Sequence, residues 1–323
     1  HPQKAGVDLE FQYEYFDATQ PDNTNMPVIC RSDLYLFKLN PYFEMSDEFY
    51  KLHFGVRLDG VNRIKEEDGF LAVRPDISGS LYVLNKKLEF YAGLNGGRRL
   101  TTFSDVIAEN PFVWNQLELL ATNVKLGFEG GVRTNIAEIV DLHLGVRYRH
   151  TGNDPFFVIM PEGDGELVVY NKFGIIYDET QTVSVLADAR VKLRNSLTAD
   201  VGFAYNNCEP TNEEYAWYRP TTEGKLKLTY DVNDKLAFNV AFLYQGGRYA
   251  KIWNDGPLAK YPPRYTIEKM KDVFDLSIGA DYKLDDQITA FALIDNLACQ
   301  KYQLYYNYPV TGIQLFVGAK LRF

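Results

Sequence analysis

The residues best suited to acid–base or nucleophilic work are few, and none is in a recognisable catalytic setting. The four histidines, His1, His53, His143 and His150, lie in no nucleophile or metal-ligand motif, and no Gly-x-Ser-x-Gly elbow, zincin helix or phosphate loop is present. Cys30, Cys208 and Cys299 are odd in number and share no metal-type spacing, so they suit neither a zinc site nor a disulfide framework. The charged residues are more informative. Glu10, Glu14, Glu129, Asp188, Asp200, Asp275 and Asp281 alternate with Arg57, Arg133, Arg147, Arg149, Arg190 and Lys227 on one set of positions. Opposite charges on one face of neighbouring strands pair across the sheet, which explains them without any reaction. The chemistry expected is recognition and passage of solutes, with no catalytic residue, no metal and no cofactor. A histidine on such a wall, His53 or His143, is expected to hydrogen-bond to a neighbour.

The elements that must carry these residues are strands. From Ile313 the odd positions read Ile, Leu, Val, Ala, Leu, Phe, while the even ones include Gln314, Lys320 and Arg322. The same period of two splits Leu52, Phe54, Val56 and Leu58 from Lys51, His53, Arg57 and Asp59. It splits Leu142, Leu144, Val146 and Tyr148 from Asp141, His143, Arg147 and Arg149, and Ala199, Val201 and Phe203 from Thr198 and Asp200. No stretch of comparable strength has helical spacing. Between turn signals the chain holds about fourteen strands, each long enough to cross hydrocarbon when tilted. Tight connections near 46–49, 85–87, 135–139, 195–196, 233–235 and 285–287 alternate with longer ones near 17–32, 101–122, 161–166, 206–215, 246–271 and 302–311. Short turns on one rim and long loops on the other are the pattern of an outer-membrane barrel.

The expected fold is therefore all-β: one transmembrane antiparallel up-and-down β-barrel over residues 1–323, with both termini in the periplasm of a bacterium and the long loops outside. A soluble sandwich also needs one apolar face per strand. Against it stand the glycines and mixed charges that run through mid-strand on the polar face, and Trp114, Trp217 and Trp253, all in or beside long connections. With Tyr305, Tyr306 and Tyr308 these tryptophans read as girdle anchors at the headgroups, their other use being stacking on sugars or aromatic ligands. The chain has 323 residues, 46% hydrophobic and 15% aromatic, too greasy for disorder; a net charge of −9 and pI near 5.1 exclude a nucleic-acid partner. The partners expected are outer-membrane lipid and lipopolysaccharide, and proteins of an outer-membrane complex. On about fourteen strands the bore is roughly 28 Å across, too wide for wall side chains to seal. Water, a partner or the apolar connection Thr101–Thr122 fills it; that connection either folds inward or packs on the rim. If a disulfide forms, closure places the first and last loops together and favours Cys30 with Cys299.

The segment from Ile294 through Asn296 and Cys299 to Tyr302, then Tyr305 to Pro309, then Gly312 to Arg322-Phe323, resembles the C-terminal end of TonB-dependent receptor barrels. That family typically closes with an Asn-Leu-Phe-Asp-Lys-Lys-Tyr-like stretch, a Pro-containing loop and a strand ending in Arg-Phe. Phe103-Ser-Asp, Asn110-Pro111 and Asn123 to Gly127 also follow the family order, without the Pro-Glu that usually precedes the Asn. The nearest likeness is to the receptor-like outer-membrane proteins abundant in Bacteroidota. The resemblance implies an outer-membrane barrel for solute passage or ligand binding, the alternative being a non-transporting subunit of an assembly or export complex. Full receptors have about 22 strands and a plug domain, and neither fits this pattern. The expectation is an excerpt of a longer protein or a smaller plugless relative.

Overall fold

The computed structural model describes residues 2–19, 29–64, 69–114, 117–162, 169–253 and 265–322. Phe323 and the side chains of Cys30 and Trp253 lie outside the described residues. The chain runs β1 (Gln3–Thr19), β2 (Ile29–Ser46), β3 (Tyr50–Val61), β4 (Leu71–Val83) and β5 (Leu88–Arg99), then a short helix α1 (Phe103–Glu109). β6 (Thr122–Ile136), β7 (Val140–Glu162), β8 (Val169–Arg194), β9 (Leu197–Pro210), β10 (Thr222–Asp231) and β11 (Leu236–Gly246) follow. After β12 (Tyr249–Trp253) and β13 (Tyr265–Lys269) come β14 (Val273–Lys283), β15 (Ile288–Asp295), β16 (Gln303–Tyr305), β17 (Tyr308–Pro309) and β18 (Gln314–Leu321).

Each strand pairs antiparallel with the next along a fourteen-strand meander, β1 through β11, then β14, β15 and β18. β12 and β13 lie off this path and bring the sheet to sixteen strands, two more than the sequence pattern shows. The six tight turns stand where expected, at 47–49, 84–87, 137–139, 195–196, 232–235 and 284–287. The opposite end carries the longer connections, with one at 62–70 that the turn signals did not reveal.

The alternation of the sequence becomes two faces. Val56, Val146, Val185, Val201, Phe203 and Phe238 stand exposed on one, while Arg57, Arg147, Ser184, Asp200 and Asn239 share the other. A fully apolar exposed face this large is the mark of a surface meant for lipid.

Closure is where the structure departs from expectation: among the described residues β1 and β18 do not pair. β1 is 17 residues long and β18 is 8, so a ladder between them would leave about half of the β1 edge unmatched. Lacking a neighbour, the edge strands are the most exposed of the apolar face, Leu9 at 69% and Val317 at 75%, against 45% for Val201 in mid-sheet. The loop between β1 and β2, residues 20–28, lies outside the described residues. Cys299 is a free, exposed thiol in a left-handed turn (φ 50°), its sulfur against Gly312, and the bridge to Cys30 is not formed. A maleimide should therefore label Cys299 in the folded, unreduced protein; a Cys299 that reacts only after reduction contradicts this placement.

The buried core lies at the long-loop end, on the polar side of the wall. β7 and β8 continue past a bulge at Thr151/Asp154 into an apolar hairpin in which Phe156 faces Ile176 and Ile159 faces Phe173. β12 adds along one side of it through Ile252 and Ile159, and Val113 bridges Phe173 on the other. Phe156, Val158, Ile159, Phe173 and Trp217 are at most 1% exposed. Full burial of each such side chain contributes about 1.5–3 kcal/mol, enough to hold these loops as a packed cap.

Candidate functional site

The connection between β5 and β6 folds onto the polar side, and so chooses between the two positions open to it on sequence. Thr102 caps α1 through a reciprocal capping box with Asp105, which satisfies the helix's first amides. Leu117 and Leu119, both buried, pack with Leu34, Leu36 and Val61, polar-face positions of β2 and β3 that the loop turns into core. At one end of α1 the amide of Phe103 donates to Glu14 of β1, and the Phe103 ring stacks on Phe16 at 3.9 Å. At the other end Tyr305 donates to the Glu109 carbonyl at 2.9 Å and Phe112 stacks on Tyr308 at 3.5 Å. The segment thus ties the first strand to the last loop across the open seam.

The outer-loop aromatics belong to this cap, which corrects the expectation of a headgroup girdle. Trp217 is 1% exposed, its ring nitrogen donating to Glu213, and Tyr305 packs edge-on against Phe157 and Phe173. Tyr306, Tyr308 and Trp114 pack on the same core. A ring enclosed in protein cannot touch headgroups, and a tryptophan in a loop reads alike in sequence whether it faces lipid or protein. Burial pushes the phenols of Tyr218 and Tyr305 well above the usual tyrosine range.

One buried ion pair and one well-bonded carboxylate join the cap to the wall. Lys251, 6% exposed, donates to both oxygens of Glu213 at 2.9 and 2.6 Å. Asp178 accepts from the amides of Glu179, Asn212 and Glu213 and from the Asn212 side chain. Beside them Arg219 grips Asp154 with two bonds of 2.6 Å. Burial works against the guanidinium's charge, but the bonds to Asp154 outweigh it and the pKa of Arg219 is raised.

Of the wall residues singled out from sequence, the structure pairs most with an opposite charge or a hydrogen-bonding neighbour. Arg57 meets Asp76 at 3.1 Å, Arg133 meets Glu89 at 3.4 Å and Arg147 meets Glu129 at 3.6 Å. Arg190 meets Asp200 at 2.5 Å, Lys320 meets Asp281 at 2.7 Å, and Tyr302 donates to Asp275 at 2.6 Å. His53 sits between Glu44 and Asp76, and His143 between Asp188 (3.3 Å) and the Tyr91 hydroxyl (2.7 Å). Tyr91 reaches His143 because the cross-strand pair Gly131 and Gly145 leaves room: a Cβ on either would come within 2.9 Å of its oxygen. The Tyr–His–Asp row has His143 four residues from the 137–139 turn, at the short-turn end of the wall. Among the described residues no three His, Cys, Asp or Glu side chains converge as a metal site.

The C-terminal signature is structural. Asn296, buried, takes a left-handed φ of 48°, donates to the carbonyls of Gln300 and Thr311, and accepts from the Gln300 amide. It staples the base of the last loop. The Arg322 amide donates to the Gln287 carbonyl at 2.8 Å beside the final turn.

Cavities open on the polar face. One of about 1010 Å³ lies beneath the cap, lined among others by Arg57, Arg99, Arg147, Arg149, Thr182 and Arg219. A second, of about 920 Å³, lies toward the short turns, with Arg133, His143, Asp188 and Arg190 in its wall. Sequence reasoning missed Arg98 and Arg99, because a register shift between Asn95 and Gly97 resets the alternation just before them.

No helix of the described residues is long and apolar enough to cross a membrane. No protein-family model matches the chain, and no curated protein matches its sequence. Its fold does match solved structures. The siderophore receptor PirA from Acinetobacter baumannii aligns with 100% of this chain at a TM-score of 0.66 and 12% identity, using 52% of its own length. The copper transporter OprC covers 99% of the chain at 0.65 and 13%, over 53% of its length. The pyoverdine outer membrane receptor FpvA from Pseudomonas aeruginosa PAO1, bound to pyoverdine, covers 91% at 0.62 and 13%, over 43% of its length. The chain spans about half the length of the structures it matches, and its fold is that of the barrel wall of TonB-dependent outer-membrane receptors.

Proposed function

We propose that the chain forms wall and outer cap of a receptor-type outer-membrane barrel, of the kind its sequence likens to Bacteroidota proteins, that binds a solute on its way across the membrane. What supports this most is the polar face itself: charged, cross-paired and glycine-bearing, it lines a half-open cavity of about 1010 Å³ beneath a packed cap, while the opposite face is apolar and exposed. Cavities of this size hold small solutes. In this reading the long connections face outside, both termini face the periplasm, and the exposed valines, leucines and phenylalanines meet lipid and lipopolysaccharide. No covalent step is assigned. A second reading, a non-transporting structural subunit of an outer-membrane complex, draws on the unpaired edges of β1 and β18, which offer a protein partner backbone groups to pair with.

Conductance separates the two. In a planar bilayer the native polypeptide should be nearly silent, because the cap closes the mouth. Replacing residues 103–119 by a short Gly-Ser linker removes one part of the cap and should raise conductance above that of the native polypeptide, with weak selectivity, since both signs of charge line the wall. Silence of both folded proteins would overturn passage and favour the structural subunit.

A further inference from the structure

The cavity beneath the cap is unevenly served by counter-ions. Of its arginines, Arg57 is tied to Asp76 and to the Gly96 carbonyl, Arg98 to the Gly69 and Phe70 carbonyls, and Arg219 to Asp154. Arg99 and Arg149 differ: their side chains make no hydrogen bond or ion pair among the described residues, although both line the cavity. Arg147 has only a 3.6 Å contact with Glu129, and its buried Nε lacks a hydrogen-bond partner. Arg99 and Arg147 both bear on Arg149 as like charges. Glu129 and Asp154 offset this in part, but Glu129 is in contact with Arg147 and Asp154 is held by Arg219, so the three guanidinium groups outnumber the carboxylates left to them and an anion among them relieves the excess charge.

The strand register adds neutral donors beside them. Arg149 stands opposite Thr182 and Arg147 opposite Ser184, so β7 and β8 present two arginine–hydroxyl pairs in adjacent polar-face rows. Gly127, directly across from Arg149 on β6, has no side chain to cover it. Three of the four carboxylates in the cavity lining are bonded elsewhere, Asp154 to Arg219, Glu209 to the Asn207 amide at 2.8 Å and Glu223 to Gln245 at 3.4 Å, while the fourth, Glu214, also lines it.

The geometry points to Arg99, Arg147 and Arg149 as an anion-binding subsite for a compact solute with two or more phosphate or carboxylate groups. Planar guanidinium forks from β5 and β7 can match such oxygens in pairs, which a single exposed arginine cannot do. A small solute suits the site better than an acidic protein segment, because the half-open cavity of about 1010 Å³ under the cap is of the size that small solutes fill. The inference rests on the receptor reading above and names the class of solute for it.

Inorganic pyrophosphate is the probe. Titrated calorimetrically into the folded chain in detergent at fixed ionic strength, it should bind saturably. Arg149→Gln should weaken binding at least tenfold and Arg99→Gln severalfold, with the unfolding midpoint unchanged or slightly raised, because neither side chain makes a hydrogen bond or ion pair and each loss removes a like charge. Lys235→Gln, the same charge change in a remote turn, should have no effect. Absence of saturable binding to the unmutated chain, or equal affinity in Arg149→Gln, overturns the subsite. Binding of a poly-glutamate peptide where pyrophosphate fails overturns it in favour of a protein segment. Conductance in the cap-deleted protein is independent of these arginines, so its loss would strike the receptor reading and leave the titration to judge the subsite.

Discussion

Val201→Arg is expected to destabilise the folded wall by about 2–4 kcal/mol in a lipid-based unfolding titration, and Asp200→Arg by about 1 kcal/mol or less. The two residues are neighbours on β9 and differ only in the face they occupy. Val201 stands between Ala189 and Leu226 on the apolar face, where an arginine near the membrane midplane would have to desolvate or drag water inward. Asp200 faces the polar side beside Arg190 and Lys227, and that side is wet. An arginine there loses one ion pair and gains a like neighbour, a sub-kcal effect at groups this exposed. Equal costs at the two sites would mean that the faces are reversed or that neither meets lipid.

Glu213→Ala should cost about 3–5 kcal/mol, and should loosen the cap while the wall persists. Lys251 is almost wholly enclosed, stacked over the Trp217 and Tyr265 rings, and receives its compensating charge from Glu213. Removing that carboxylate takes two charged hydrogen bonds from a buried ammonium and also deprives the Trp217 ring nitrogen of its acceptor. The readout is urea unfolding followed by tryptophan fluorescence, with Glu213→Gln retaining an acceptor for Trp217 and falling between. A change under 0.5 kcal/mol would show that the pair is solvated and the cap loosely held.

The wall was legible because its physics is local. Period-two alternation in stretches such as Leu142–Arg149 fixes which side chains share a face, and tight turns such as Asn195–Ser196 leave the chain no other way to reverse. The open seam was not legible, since period-two alternation marks which face a residue occupies but not whether the first and last strands, 17 and 8 residues long, meet. The cap was legible only in part. Pro155 to Met160 is a continuous apolar run, the signature of a strand buried on both faces, but nothing local says what covers it. Trp217 and Tyr305 were misjudged for the same reason: aromatic residues in loops suit both a lipid girdle and a protein core, and tertiary packing decides. The arginine subsite divides likewise. Arg147 and Arg149 follow from alternation, while Arg99 lies past a bulge and joins them only in three dimensions.

Sidedness in intact cells tests the central claim most directly, that this wall spans an outer membrane with its long connections outside. In a background with all three cysteines changed to serine, Glu268→Cys on β13 and Asp286→Cys in the 284–287 turn each place one exposed thiol at opposite ends of the wall. A membrane-impermeant maleimide should label Glu268→Cys on intact bacteria, and Asp286→Cys only after the outer membrane is permeabilised. Labelling of Asp286→Cys on intact cells, or of both positions alike, would contradict the account.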